Sequence, residues 1–209
     1  MRSFVAVLIS IGALLVAFMC WQVFQFTLTG AGDDETPVIF DVAPGASLNG
    51  AAARLEQQGL IRDAFKFRLF ARFIYGSSSI KIGEYSLNST MSPRRILDIL
   101  TKGQSIQYSL TIPEGYNMFE IKDLLNSRWP GRGDKFLEIV TDKKFVESVL
   151  KEKRSSLEGY LFPDTYLITK YTEPQTLVRN MWQRFEDAYR RATLGAPIQM
   201  KRHEHVTLA

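Results

Sequence analysis

The sequence predicts an α+β chain behind one N-terminal transmembrane helix. Three observations predict it. Between Ser3 and Gly32 there is no Asp, Glu, Lys or Arg. Two short strand-like runs, 38–42 and 81–87, bracket two stretches whose apolar residues recur at helical spacing. Beyond Pro113, helix caps and amphipathic patterns dominate. The chain has 209 residues, which allows one ordinary domain or two small ones. A hydrophobic content of 45% is enough to bury a core and excludes wholesale disorder. A single cysteine excludes an internal disulfide and a cysteine-rich zinc site. The net charge of +4 is too mild to argue for nucleic acid as a partner.

Residues 4–28 read FVAVLISIGALLVAFMCWQVFQFTL. About 20 apolar residues cross the hydrocarbon core as a helix, and such a helix satisfies its own backbone. The run exceeds the roughly 7–15 apolar residues of a signal peptide, so an uncleaved anchor is expected. Trp21, Phe24 and Phe26 suit an interfacial aromatic belt. Arg2 precedes the run and Asp33, Asp34 and Glu35 follow it, which orients residues 1–3 to the cytoplasm and the bulk of the chain outside. Cys20 serves as apolar filler.

Residues 29–37 form a polar linker. Val38–Val42 is a strand, and Pro44-Gly45 turns the chain. Ser47 caps a helix whose Leu48, Ala51, Ala52 and Leu55 share one face. Gly59 ends it. Asp63 caps a second helix with Phe67, Phe70, Ala71 and Ile74 inward. Lys81–Leu87 is a strand. Ser92-Pro93 opens a helix with Ile96, Leu97 and Leu100 inward, Gly103 stops it, and Gln104–Ile112 is a third strand. The strand–helix–helix–strand order, with Pro44-Gly45-x-Ser47-Leu48 and Gly59-Leu60-Ile61, is similar to a LysM-type glycan-binding module. The LysM-like subdomain with its following helix and strand is expected over 38–112.

From Pro113 the texture changes, and a second domain is expected over 113–209. Asn117 and Glu120 make a capping box for Met118–Arg128. Trp129-Pro130-Gly131 is a loop, and helices follow over Asp134–Thr141 and Lys143–Lys151. Ser155–Asp164 leads into a short strand, TYLIT. Pro174 begins a helix with Leu177, Met181, Trp182, Phe185 and Tyr189 on one face. The last residues, HEHVTLA, read as the opening of another helix.

Glu158 is the residue of most chemical interest. Leu157, Tyr160, Leu161 and Phe162 around it can strip solvent from its carboxyl, and lost solvation favours the protonated form that a general acid needs. Gly159 would let the backbone turn close to a ligand, and Tyr160 and Tyr166 could stack on sugar rings. The competing structural role is a capping box, Ser155-x-x-Glu158. Asp164, after Pro163, reads as a turn or cap residue or as a second carboxylate. Glu114, between Pro113 and Gly115, reads as a turn residue or a ligand contact. His203 and His205 are too few for a metal site without a third ligand, and a solvated helix start is expected there. Arg179, Arg184, Arg190, Arg191, Lys201 and Arg202 form a solvated basic face that could approach anionic lipid or peptide carboxylates.

Residues 155–169, SSLEGYLFPDTYLIT, resemble the signature of the YceG-like endolytic murein transglycosylase family, E-G-x-x-[FW]-P-[DE]-T-[YW]. Residues 112–125 (IPEGYNMFEIKDLL) and 81–103 (KIGEYSLNSTMSPRRILDILTKG) resemble further segments of that family. The resemblance implies that Glu158 is catalytic, with Glu114, Tyr160, Asp164 and Tyr166 as substrate contacts. It implies a membrane-anchored lytic transglycosylase that cuts the MurNAc–GlcNAc bond of nascent peptidoglycan and ends glycan elongation. The implied location is the bacterial inner membrane, single-pass, with the bulk of the chain periplasmic. Implied partners are glycan strands, membrane lipid along residues 4–28 and peptidoglycan synthases. No cofactor, metal or nucleic acid is implied. Family members continue past Ala209, so a YceG-like catalytic domain over 113–209 is expected to be incomplete. The alternative is a catalytically incomplete, membrane-anchored glycan-binding or cell-wall-synthesis scaffold protein.

Overall fold

The computed structural model describes residues 2–76 and 80–194. The chain divides into two compact units, Met1–Ile106 and Gln107–Ala209.

The first unit opens with helix α1 (Arg2–Leu28). Among the described residues, no helix is long and apolar enough to cross a membrane. The transmembrane helix expected over 4–28 is corrected on that finding. A span needs about 20 apolar residues free to face lipid. The end of α1 instead carries Gln22, Gln25 and Thr27 and is committed to the folded unit. Phe26 packs on that unit's core, Thr27 is only 3% exposed, and the N–H of Gly32 donates to the Ser89 carbonyl oxygen at 3.0 Å.

Strands β1 (Val38–Val42) and β2 (Gly83–Leu87) pair antiparallel, with Phe40 opposite Tyr85. Between them lie α2 (Leu48–Gln57) and α3 (Ala64–Tyr75), and α4 (Pro93–Lys102) follows. This is the βααβ order expected from the sequence. Each helix starts where a short polar side chain satisfies an otherwise orphan N–H. Ser47 accepts from Gly50 at 3.1 Å, Asp63 from Lys66 at 2.9 Å and Ser92 from Arg95 at 3.3 Å. The alternating inward residues Phe40, Val42, Tyr85 and Leu87 meet Ala52, Leu55, Phe67, Ile96 and Leu100 in one core. Tyr85 is fully buried, and its hydroxyl donates to the Lys81 carbonyl oxygen at 2.7 Å.

The third strand is shorter than expected and belongs elsewhere. Gln104–Ile106 stay with the first unit, where the Ile106 N–H donates to the Glu84 carbonyl oxygen at 2.7 Å. Strand β3 (Tyr108–Thr111) is part of the second unit and pairs antiparallel with β4 (Thr165–Ile168), Leu110 opposite Tyr166.

Around that ribbon the second unit sets α5 (Met118–Arg128), α6 (Arg132–Thr141), α7 (Lys143–Leu150) and α8 (Pro174–Thr193). Its core gathers Leu110, Tyr166 and Ile168 from the strands with Ile121, Leu125, Phe136, Val140, Val178 and Met181 from the helices. Gly133 lets α6 approach α5, because a Cβ there would overlap the Lys122 carbonyl oxygen. The Arg132 guanidinium donates to the carbonyl oxygens of Thr169, Lys170 and Thr172 and so closes the turn between β4 and α8. The helix start expected at HEHVTLA, with His203, His205, Lys201 and Arg202, lies outside the described residues.

Candidate active site

Leu157 and Tyr160 anchor the motif. Both are buried, and the Tyr160 N–H donates to the Leu157 carbonyl oxygen at 3.0 Å, closing a tight turn. The two residues between them, Glu158 and Gly159, are thereby pushed outward and exposed. Gly159 has φ 81°, the left-handed region where a side chain is strained. The sequence therefore builds an outward glutamate from two apolar anchors and one glycine.

Two expectations for Glu158 are corrected here. Its carboxyl is exposed rather than stripped of solvent, because the neighbours Leu157 and Tyr160 point away from it into the core. Nor does Ser155-x-x-Glu158 form a capping box, since no helix starts there, and the Glu158 N–H donates to Ser156 Oγ at 3.3 Å instead.

The carboxylate caps a different helix. Oε2 of Glu158 accepts from the backbone N–H of Met118, the first residue of α5, at 3.0 Å. The expected Asn117–Glu120 capping box is present. Asn117 Oδ1 accepts from Phe119 at 2.9 Å and Glu120 at 3.0 Å, and Glu120 Oε2 accepts from Asn117 at 2.8 Å. The box leaves the Met118 N–H to Glu158. The partial positive charge of a helix N-terminus favours a carboxylate in that position.

The remaining motif residues hold the strap between Glu158 and β4. Tyr166 is 6% exposed, and its hydroxyl donates to the Phe162 carbonyl oxygen at 2.6 Å. Burial pushes the Tyr166 phenol up, the Asp164 charge adds to this, and Arg184 opposes it. Asp164 is half-buried. Oδ1 accepts from the Thr165 N–H at 2.7 Å, Oδ2 lies 3.2 Å from Arg184 Nε, and the Asp164 carbonyl oxygen accepts from Ile112 at 3.0 Å. Tyr160 packs edge-on against Phe185, with centroids 5.2 Å apart. The rings of Tyr160 and Tyr166 are thus turned inward, and neither presents a face to a sugar. Glu114 is exposed on the turn before α5. Of the basic residues, Arg184 is paired with Asp164, Arg179 lies 5.0 Å over the Phe145 ring, and Arg190 and Arg191 are exposed.

A groove of about 340 Å³ runs between the two sequence segments singled out above. Ile112, Pro113, Gly115 and Tyr116 line one part, and Gly159, Leu161, Phe162 and Pro163 another. A larger hollow of about 520 Å³ lies in the first unit between α2 and α3, and no carboxylate lines it. Another of about 460 Å³ lies between β4 and α8, lined by Tyr166, Arg184 and Asp187. The smaller groove is singled out because Gly159, the neighbour of Glu158, lines it. Sequence reasoning missed three features of the groove and of the start of α5 beside it. Tyr116, 40% exposed, and Phe119, 54% exposed, offer aromatic faces beside Met118. Two exposed aromatics flanking the first turn of a capped helix was the available signal. The Met118 amide had none, because a backbone donor has no sequence signature.

The groove joins the IPEG and EGYLFPD segments, whose resemblance pointed to one family. Residues 40–209 match the model of the YceG-like family, and the chain belongs to it. Proteins named endolytic murein transglycosylase are among its relatives. The one from Streptococcus pneumoniae is 27% identical over 169 residues, covering 69% of this chain and 30% of that protein. The one from Bacillus subtilis is 24% identical over 163 residues, covering 71% of this chain and 44% of that protein. The chain thus spans less than half the length of these relatives. A solved YceG-like protein from Listeria monocytogenes is 22% identical, with a TM-score of 0.38, over 77% of this chain and 59% of that one.

Proposed function

We propose that this chain carries the acid/base element of a peptidoglycan lytic transglycosylase acting outside the cytoplasm on bacterial cell wall, with Glu158 as the catalytic residue. The observation that carries the proposal is the Glu158 carboxylate, exposed on a glycine turn, bonded to Met118 and next to the groove between 112–116 and 159–163. A hydrolysing glycosidase uses two carboxyl groups. Asp164, the nearest motif carboxylate in sequence, is engaged by Arg184. A lytic transglycosylase needs only one carboxyl group, because the sugar supplies the nucleophile.

Protonated Glu158 gives its proton to the glycosidic oxygen between N-acetylmuramic acid and N-acetylglucosamine as the C1–O bond breaks. The resulting carboxylate then takes the proton of the muramyl C6 hydroxyl while that oxygen bonds to C1. The product is a 1,6-anhydro end, and Glu158 finishes protonated as it began. Glycan lying in the groove excludes water that reaches Glu158 in the free protein. Tyr116 and Phe119 supply the stacking faces first sought in Tyr160 and Tyr166. Cutting nascent strands ends their elongation, which brings the chain near peptidoglycan synthases.

The test is digestion of purified glycan strands with mass spectrometry of the ends. The parent chain forms 1,6-anhydro ends and Glu158→Gln forms none. Full activity in Glu158→Gln would remove Glu158 from the role. A second reading, glycan binding without cleavage, rests on the exposed Tyr116 and Phe119. It is favoured if the parent chain retains glycan strands and leaves them uncut.

A further inference from the structure

We propose that the Met118 backbone amide is the positioning group for Glu158, holding Oε2 so that Oε1 alone carries the catalytic proton in both half-reactions. This rests on the proposed role of Glu158.

An N–H donor requires a lone pair on the oxygen it meets, and Oε2 of Glu158 meets the Met118 N–H at 3.0 Å. The carbonyl-type oxygen of a protonated carboxyl is the stronger acceptor, so this bond favours Oε2 as the carbonyl oxygen and the acid proton on Oε1. In the first half-reaction the Oε1–H bond breaks, and the proton moves to the glycosidic oxygen as that oxygen leaves C1. In the second, Oε1 accepts the C6 hydroxyl proton as the new O6–C1 bond forms. Oε2 keeps its bond to Met118 throughout, so the carboxyl does not rotate between steps. The donor is itself fixed. Asn117 and Glu120 lock the first turn of α5 through three hydrogen bonds, none of which uses the Met118 N–H. The buried anchors Leu157 and Tyr160 fix the other side.

One substitution removes this donor and little else. Met118 is the first residue of α5, where an N–H has no intrahelical partner and proline is favoured. The preceding Asn117 has φ −82° and ψ 169°, which a following proline accepts. Met118→Pro therefore deletes the bond to Glu158 while keeping the helix. Met118→Ala is its control, because the half-buried Met118 side chain packs on the core and both variants lose it. The bond lost is one to the reacting carboxyl, so kcat of Met118→Pro is expected roughly tenfold or more below that of Met118→Ala, with KM alike in the two. Matching thermal melts verify that both fold.

A second measurement needs no activity. In amide NMR of the full chain, the Met118 resonance is expected to move with pH as Glu158 titrates, and Glu158→Gln abolishes that response. Equal kcat in the two variants overturns the proposal, as does a Met118 response that survives Glu158→Gln. If the parent chain cuts no glycan, the proposed function fails and the NMR result alone decides whether Met118 holds Glu158.

Discussion

Nε of Arg184 on α8 lies 3.2 Å from Oδ2 of Asp164, which ties that helix to the strap that carries Glu158. The strap has no secondary structure of its own between α7 and β4. Its shape comes from this pair, the Tyr166 hydroxyl on Phe162, and the Ile112 N–H on Asp164.

The pair is half-exposed on the arginine side, so its direct contribution to stability is small. Arg184→Ala is expected to lower unfolding free energy by about 0.2–1 kcal/mol. Asp164→Ala loses the Thr165 bond as well, and should cost about 0.5–1.5 kcal/mol more. Urea unfolding of both variants measures the order. An Arg184→Ala loss larger than that of Asp164→Ala would contradict it.

Tyr166→Phe removes the donor to the Phe162 carbonyl oxygen without changing the packed ring. At neutral pH the expected cost is about 1–3 kcal/mol, because that acceptor is left unsatisfied beside the core. A melt indistinguishable from the parent would mean that the hydroxyl does not hold the strap.

The same tyrosine gives a pH dependence at the alkaline end. Its folded phenol is raised above the ordinary value of 10.0, chiefly by burial. Above about pH 10 the unfolded chain releases this proton while the folded chain keeps it. The folded state then binds more protons, and stability falls as pH rises. Below that pH both states are protonated and the contribution is fully present. Denaturation midpoints from pH 8 upward should fall less steeply in Tyr166→Phe than in the parent.

Gly133→Ala is expected to be among the more damaging single-methyl additions. The new Cβ would overlap the Lys122 carbonyl oxygen, a backbone atom that cannot swing aside. Forcing α6 off α5 should cost about 1–3 kcal/mol or more, read by urea unfolding. Gly12→Ala meets nothing and serves as the contrast.

Tyr116→Ala and Phe119→Ala are expected to weaken glycan-strand binding several-fold each without lowering the melting temperature. Both rings are exposed, so little packing is lost. Co-sedimentation with purified glycan measures the change. Unchanged binding in the double variant would leave the groove without its stacking platform.

Features written in short-range chemistry were legible in the sequence. Ser47, Asp63, Ser92 and the Asn117–Glu120 box cap the helices they were expected to cap, because a cap needs only the next two or three residues. The βααβ order and the family signature around Glu158 were legible for the same reason: both are contiguous runs. Only tertiary structure decided the rest. Glu158 finds its partner 40 residues away in Met118, and Thr111 meets Thr165 across 54 residues. Alternation could say that Tyr166 lies on a strand but not that its face is the buried one, since that depends on which strand pairs with it. The uncharged N-terminal run suggested a membrane, while the docking of Phe26 and Thr27 depends on a surface formed by α3 and α4, more than thirty residues further along the chain. Hydrophobic periodicity says that a face must be covered. The covering surface is set by contacts that exist only once the chain has folded.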